Sequence, residues 1–166
     1  MRGFMPFYIT NRMSVSMPKV ASFIAAVRSA EGADQHIGAA GFCWGGRHAV
    51  LLAHGENATN RKPLVDAVFT GHPSQLDIPV EIEKVKQPLS IAVGDKDNVV
   101  GPAQVNRIKT ILAEKKEIKS DVVVYPGAGH GFCVRADPLN KNVIQQAMDA
   151  EDQAIKWFEQ QFGALT

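Results

Sequence analysis

The sequence predicts an α/β fold with a mostly parallel sheet, because short apolar segments alternate with longer helical segments along the chain. The apolar segments lack the alternation of a half-exposed strand, which is typical of strands buried on both faces of a parallel sheet. The segments between them place apolar residues at helical spacing. In such sheets ligands bind at the carboxyl ends of the strands, so the residues that follow each strand are candidates for a functional site.

The first half of the chain contributes one strand and two helices to this prediction. Residues 1–16 are expected to be irregular, and a helix is expected to start at Ser16, with Pro18 in its first turn. The apolar residues that follow at helical spacing are predicted to face the core: Val20, Phe23, Ile24 and Val27. A short run of small and apolar residues at 37–42 predicts a buried strand, and residues 45–54 predict a helix.

The rest of the chain repeats the same pattern. Three further strands are predicted, at 64–70, 88–93 and 121–125. A helix that opens at Gly101 carries four residues predicted to be buried: Val105, Ile108, Ile111 and Leu112. The last helix spans 142–162, and its predicted inward residues are Val143, Ala147, Ala154, Ile155 and Phe158, with Trp157 as a further packing residue.

Length and composition indicate one globular domain, residues 1–166. Apolar residues make up 45% of the chain and charged residues 21%, and the net charge is +1, with no basic stripe that would predict a nucleic-acid partner. Two cysteines do not make a disulfide framework, so a cytoplasmic location is expected. No apolar run approaches the ~18 residues of a membrane span, and the N-terminus lacks the pattern of a signal peptide.

The residues after the first predicted strand form the pattern G-x-C-x-G, from Gly41 through Cys43 to Gly45. With serine in place of cysteine this is the nucleophile elbow, a sharp strand-to-helix turn in which Gly41 and Gly45 must be small. The turn would place the Cys43 sulfur at a helix N-terminus, where the dipole favours a thiolate. The N–H of Trp44 would form half of an oxyanion hole. A buried cysteine in a glycine-rich turn is the alternative.

Two later loops offer an acid and a base. Asp95 and Asp97 both follow the third strand, and either could orient a histidine; a surface turn rich in Asp and Asn is the alternative. His130 follows the fourth strand and is flanked by glycines, an unusual setting for a packing residue. The order cysteine, aspartate, histidine is the chain order of α/β-hydrolases, which differs from that of other triad folds.

The chain resembles the dienelactone hydrolase family, in its fungal form, over about residues 17–162. The resemblance is carried by G-F-C-W-G-G at 41–46, V-G-D-K-D at 93–97, H-P-S at 72–74 and G-A-G-H-G-F at 127–132. It implies an α/β-hydrolase fold and a Cys43, Asp97, His130 triad, with Asp97 preferred by its spacing from Gly94. It also implies hydrolysis of enol-lactones or related esters of small molecules, with neither a metal nor an organic cofactor.

The sequence departs from this family at its N-terminus. A full-length member has further strands before the helix at 17–30, and these supply the second oxyanion donor and a glutamate that pairs with the resting cysteine. The chain is therefore expected to be a partial domain that lacks the first strands, from a truncated gene model or as a shortened paralogue. One edge of its sheet would then be uncovered, which favours dimerisation or aggregation.

Other residues with reactive side chains have less specific interpretations. Arg135 lies one position from the place where the family prototype has a substrate-binding arginine, and either binds an acidic substrate or is a solvated loop charge. His72 follows a strand and either lines the pocket mouth or belongs to a turn. Cys133 is expected to be a small buried residue. Arg47 is expected to be structural, and the histidines of the elbow helix are weak metal candidates: His48 and His54.

Two functions from other classes compete with hydrolysis. The first is a catalytically impaired hydrolase that serves as a binding domain, which the absence of the first strands favours. The second is a redox protein that forms a reversible disulfide between Cys43 and Cys133. A zinc site made of Cys43, His130 and Cys133 is disfavoured, because these residues lack the close ligand pairs of zinc sites.

Overall fold

The computed structural model describes residues 4–30, 33–55 and 62–163. Its sheet has four parallel strands in the order β1-β2-β3-β4, so strands adjacent in the chain are adjacent in space. The strands are β1 Gly38–Phe42, β2 Ala67–Gly71, β3 Leu89–Gly94 and β4 Ser120–Tyr125. Each overlaps a predicted strand, and the predicted parallel sheet is confirmed.

Six helices accompany the sheet within the described residues. They are α1 Phe4–Thr10, α2 Met13–Ser29, α3 Trp44–Leu52, α4 Val80–Glu83, α5 Pro102–Glu114 and α6 Lys141–Phe162. Among these, no helix is both long enough and apolar enough to cross a membrane. The helices α3 and α5 pack on one face of the sheet, and α6 packs on the other against β2 and β3.

Two apolar cores lie on opposite faces of the sheet because successive strand residues point to opposite sides. Val68 on β2 belongs to the core shared with α3 and α5, whereas the next residue, Phe69, belongs to the core beneath α6. The predicted inward residues of α5 are all buried. In α6 the prediction is wrong for Ile155, which is 50% exposed, and right for Trp157, which is 6% exposed.

The start of the chain differs from the prediction. Residues 4–10 form α1 and α2 begins at Met13, so the expectation of an irregular segment up to residue 16 is wrong. Ser16 lies inside α2, and its hydroxyl meets Nε2 of His48 at 2.7 Å instead of capping a helix. Pro18 lies inside the helix too, where it removes one backbone hydrogen bond. Phe23 is 66% exposed rather than buried.

Helix α2 is held to the sheet by a buried arginine that the sequence pattern does not reveal. Arg28 is 1% exposed, and its guanidinium lies 2.5 Å from the carboxylate of Asp66. The same guanidinium donates to the carbonyls of Gln35 at 2.8 Å and Pro63 at 3.1 Å. Asp66 in turn accepts the N–H of Ile37, the residue before β1. These contacts tie α2 to the segments that lead into the first two strands.

The strand β1 lies at one edge of the sheet, paired with β2 on one side only within the described residues. An open cleft of about 500 Å³ runs along this edge between α2 and the start of α3, and its lining includes Val20, Ile24 and Trp44. The cleft therefore brings apolar surface from the sheet edge up to the first residue of the elbow helix.

Candidate active site

Cys43 is the single residue between the end of β1 and the start of α3. Its φ is 51° and its ψ is −119°, a left-handed conformation that costs a non-glycine residue of order 1–3 kcal/mol. Three backbone hydrogen bonds hold it: its N–H donates to Gly71 at 3.3 Å, and its carbonyl accepts the N–H of Gly46 at 3.0 Å and of Ser74 at 2.9 Å. The turn has the geometry of a nucleophile elbow.

The glycines around this turn are not equally required. A Cβ on Gly41 would lie 2.3 Å from the carbonyl oxygen of Gly45, so strand and helix can approach only because residue 41 has no side chain. A Cβ on Gly46 would lie 2.6 Å from Oγ1 of Thr70. A Cβ on Gly45 would meet nothing within 4 Å, so the expectation that Gly45 must be small is wrong for the described residues. Gly46 is the second crowded position.

His130 lies in the loop after β4, and its ring lies beside Cys43 at the carboxyl end of the parallel strands. Its Nε2 is 3.2 Å from the Cys43 sulfur, although 87 residues separate the two along the chain. The following residue, Gly131, has a φ of +95°, and the guanidinium of Arg135 lies against its Cα. A side chain at residue 131 would be strained and would collide with that guanidinium.

Asp97, rather than Asp95, meets the other nitrogen of His130. The distances from Nδ1 to Oδ2 and Oδ1 of Asp97 are 3.0 and 3.2 Å, and the carboxylate is completely buried. Oδ1 also accepts the backbone N–H of Val99 at 2.7 Å and of Val100 at 3.2 Å, which fixes its orientation. Asp95 instead accepts the N–H of Gly127 at 2.6 Å and so links the two loops.

The ring of His72 lies inside the protein and not at the pocket mouth, so of the two interpretations from the sequence the substrate contact is not supported and the turn residue remains. His72 has no exposed surface, so its side chain is not available for contact with a substrate. Its ring packs edge-to-face on the ring of His130 at a centroid distance of 5.1 Å, and neither of its nitrogens has a hydrogen-bond partner among the described residues. Burial, reinforced by the nearby His130, lowers the pKa of His72 to about 4, so the ring is neutral at neutral pH.

Ser74 is a neighbour of the cysteine that the sequence analysis did not single out. It is 7% exposed, and its hydroxyl oxygen lies 4.0 Å from the Cys43 sulfur. The only sequence signal for it is the H-P-S pattern at 72–74, which belongs to the family resemblance but implies no role for the serine. The turn after β2 therefore adds a polar group beside the sulfur that the motif-based prediction missed.

Trp44 and Arg135 flank the cysteine and the histidine. Trp44 is the first residue of α3, and the N–H groups in the first turn of a helix have no partner within the helix. Its ring packs against Phe7 and His48, at centroid distances of 5.2 and 4.3 Å. Arg135 is exposed, and no carboxylate of the described residues pairs with it.

The remaining polar candidates have packing contacts. The guanidinium of Arg47 binds the carboxylate of Glu81 through two nitrogens, at 2.7 and 2.9 Å, so it is structural as expected. His48 and His54 make separate hydrogen bonds, and within residues 4–30, 33–55 and 62–163 no three side chains are grouped to hold a metal ion. Both cysteines are free thiols, and burial raises the pKa of Cys133 to about 12.

The chain is similar in sequence to proteins of a known family. The chain matches the model of the dienelactone hydrolase family over residues 7–162. It is 34% identical to the hydrolase tropI of Talaromyces stipitatus over 126 residues, which cover 75% of this chain and 45% of that protein. It is 28% identical over 151 residues to an Escherichia coli K12 protein whose name proposes carboxymethylenebutenolidase activity, covering 84% of this chain and 52% of that one.

Solved structures show the same fold at lower sequence identity. A Klebsiella pneumoniae structure titled as a proposed dienelactone hydrolase superimposes with a TM-score of 0.68 and 24% identity, over 88% of this chain and 62% of that one. Esterase 2 of Thermogutta terrifontis superimposes with a TM-score of 0.67 and 19% identity, over 87% and 62% of the two chains. The chain thus spans about half the length of the curated relatives it matches.

Proposed function

Because the chain belongs to the dienelactone hydrolase family, we propose that it hydrolyses an ester or lactone bond of a small molecule, with Cys43 as the nucleophile. The observation that carries this proposal is the line of hydrogen bonds from Asp97 through His130 to the Cys43 sulfur, at 3.0 and 3.2 Å. A nucleophile beside a base that a third group orients is the arrangement by which side chains are activated for covalent catalysis.

The first half of the reaction forms an acyl-enzyme. Nε2 of His130 takes the proton of the Cys43 thiol while Asp97 accepts a hydrogen bond from Nδ1 and stabilises the imidazolium. The thiolate attacks the carbonyl carbon, a C–S bond forms, and the carbonyl oxygen becomes an oxyanion. The backbone N–H of Trp44, at the start of α3, is one donor to that oxyanion. Collapse of the intermediate breaks the C–O bond, and His130 returns the proton to the leaving alcohol or enol.

The second half releases the acid. The leaving group of a lactone stays attached to the acyl chain, whereas that of an open ester diffuses away. His130 then removes a proton from water, the hydroxide attacks the thioester carbon, and the C–S bond breaks to return Cys43 as a thiolate. The water is consumed, and no other reactant enters the cycle. One base thus serves both halves of the reaction, which requires that its orientation by Asp97 persist throughout.

The substrate we propose is a small ester or lactone, with the enol-lactones of the family as the first class to test. Arg135 supports an acidic substrate, because its exposed guanidinium lies over Gly131, next to the proposed base, and pairs with no carboxylate of the described residues. A guanidinium can bind a carboxylate through two parallel hydrogen bonds. His72, which is buried, is not part of this substrate contact.

We also propose that residues 1–166 act as one domain in the cytoplasm. One four-stranded sheet runs through the described residues, with a core on each face, which supports a single domain. Two free thiols suit a reducing compartment. The redox alternative is disfavoured by the high pKa of the buried Cys133, which keeps it protonated and unreactive at neutral pH.

The test is hydrolysis of an enol-lactone and an aryl ester by the purified chain. Wild type is expected to turn over at least one of them and to carry a transient thioester adduct on Cys43, detected by mass spectrometry after acid quench. Cys43→Ala should lose both the adduct and the turnover, whereas Cys133→Ala should keep both. Turnover that survives in Cys43→Ala, or an adduct on Cys133, would contradict the proposal.

A further inference from the structure

The turn after β2 touches both members of the Cys43–His130 pair. From the end of β2, His72 donates its N–H to the carbonyl of Ala92 on β3 at 2.7 Å, and Ser74 donates its N–H to the carbonyl of Cys43 at 2.9 Å. The ring of His72 packs on the ring of His130. The turn is therefore anchored to the sheet and to the elbow, and its side chains face the sulfur and the imidazole.

Close packing fixes this turn against the elbow helix. A Cβ on Gly46 would lie 2.8 Å from Cα of Pro73 and 2.6 Å from Oγ1 of Thr70, so helix and turn are in direct contact. His72 has a φ of 36°, a conformation that a histidine keeps only when its surroundings hold it. Ser74 therefore occupies a defined place beside the nucleophile rather than one of several loop positions.

The hydroxyl of Ser74 lies beside the sulfur and has no other hydrogen-bond partner within the described residues. In the resting state the Cys43 thiol donates to this hydroxyl, with Sγ 4.0 Å from Oγ, and the side chain of Ser74 is buried. A hydrogen bond to a charged acceptor is shorter and stronger than one to a neutral acceptor. A hydroxyl can donate as well as accept, so it can turn its O–H toward the sulfur once Cys43 has lost its proton. This charge-assisted contact favours the thiolate over the thiol.

We propose that Ser74 is a positioning residue for the Cys43 thiolate, donating a hydrogen bond to Sγ on one side while His130 faces the sulfur on the other. This inference rests on the proposed function, since it concerns the same nucleophile. The proton that leaves Cys43 resides on Nε2 of His130, and Ser74 keeps its own proton, so no bond to Ser74 breaks. Ser74 acts through the charge and position of the sulfur and touches no substrate.

Substitution of Ser74 replaces none of the other titratable side chains near the sulfur. His130 lies at 3.2 Å, with Asp97 behind it, and Arg135 lies over Gly131 on the same loop. His72 packs on His130 and is neutral above about pH 5, because burial lowers its pKa to about 4. A change in the reactivity of Cys43 in a Ser74 variant can thus be assigned to one lost contact.

The experiment measures alkylation of Cys43 by iodoacetamide between pH 5 and 9 in the full chain, with the labelled residue located by mass spectrometry. Ser74→Ala is compared with Ser74→Val and Ser74→Thr, a pair of one shape that differ in the hydroxyl. Ala and Val are expected to raise the midpoint of the profile by about half to one pH unit and to slow labelling at pH 6 by about three- to tenfold. The labelling profile of Ser74→Thr should stay near that of wild type.

Two results would overturn the inference. One is a Ser74→Ala profile that matches wild type. The other is a shift of the labelling profile by the same amount in Ser74→Thr and Ser74→Val, which would indicate that packing, and not the hydrogen bond, affects Cys43. Thermal unfolding shows which variants are folded. If Ser74→Ala does not fold, the comparison of Ser74→Thr with Ser74→Val tests the inference instead. If wild-type Cys43 labels like a free thiol, the proposed function and this inference fail together; if wild type is activated and Ser74→Ala keeps its profile, only this inference fails.

Discussion

The carboxylate of Asp97, which no solvent reaches, lies 3.0 Å from Nδ1 of His130 and accepts two backbone N–H groups at the same time. These donors hold the carboxylate in one orientation, so the histidine that binds it is held as well. Asp95, two residues earlier, faces Gly127 instead. Two aspartates of one loop therefore make different contacts, and each can be removed without the other.

Asp97→Asn is expected to lower ester turnover by about 10²–10⁴-fold, because the amide no longer stabilises an imidazolium and can favour the wrong tautomer of His130. Asp95→Asn is the matched control. Its amide oxygen can still accept the N–H of Gly127, so turnover should stay within about twofold of wild type. The measurement is kcat on the same aryl ester for both variants. Equal losses of kcat in Asp97→Asn and Asp95→Asn would mean that Asp97 does not orient the base.

Gly41→Ala is expected to destabilise the protein by about 1–3 kcal/mol, because its Cβ would lie 2.3 Å from the carbonyl oxygen of Gly45 and would push strand and helix apart. Gly45→Ala should be neutral or stabilising by up to about 1 kcal/mol, since its Cβ meets open space within a helix. Urea unfolding gives the free energy of unfolding of both variants. A larger loss in Gly45→Ala would contradict the packing of the elbow described above.

His72→Phe is expected to remove part of the acid sensitivity of the fold. His72 takes up its proton near pH 4 in the folded protein and near 6.5 when unfolded, so the unfolded chain binds more protons between these values. Its contribution to stability is complete above pH 6.5 and is lost as the pH falls toward 4, by roughly 3 kcal/mol in all.

The measurement compares wild type and His72→Phe by urea unfolding at pH 7, 5.5 and 4.5. The difference in free energy of unfolding should shift in favour of the phenylalanine variant as the pH falls. Since both nitrogens of His72 are buried without a partner among the described residues, the variant should also fold at pH 7. A difference that does not depend on pH would show that the ring is not kept neutral by burial.

Arg28→Ala is expected to cost about 3–5 kcal/mol of stability, because it leaves the carboxylate of Asp66 and the carbonyls around it without their donor. Arg107→Ala is the matched control. Arg107 is about half exposed and lies 3.6 Å from Glu83, and a surface pair of this kind contributes about 0–1 kcal/mol. Thermal unfolding of the two variants at one pH gives the comparison. A small loss of stability in Arg28→Ala would mean that other contacts hold α2 to the sheet.

The sheet and the positions of Cys43 and His130 could be predicted from the sequence for a local reason, whereas the preference for Asp97 over Asp95 came from the family resemblance. Each strand is a short apolar run, and Cys43, Asp97 and His130 each lie within five residues of the end of one such strand. Since carboxyl ends of parallel strands share one edge of the sheet, the order of elements alone predicts that these side chains lie near one another.

The features that the sequence did not predict depend on contacts between distant segments. Nothing local distinguishes Gly45 from Gly46, and only the approach of Thr70 and Pro73 makes Gly46 the crowded position. Arg28 resembles a surface charge until Asp66 is placed beside it. In the same way, Ser74 gains a role only because the second strand ends next to the first, which brings its hydroxyl to the Cys43 sulfur.

Activation of Cys43 by His130 can be measured as the rate of alkylation of the two cysteines within one chain, compared between wild type and His130→Ala. Cys43 is expected to react with iodoacetamide at pH 7 about tenfold faster or more in wild type than in His130→Ala, because the imidazole takes the proton of the thiol. Cys133, whose pKa burial raises to about 12, is the internal control and should stay unlabelled up to pH 9. Labelling of Cys43 that is as slow as that of Cys133 in wild type, or that is unchanged in His130→Ala, would show that His130 does not activate Cys43.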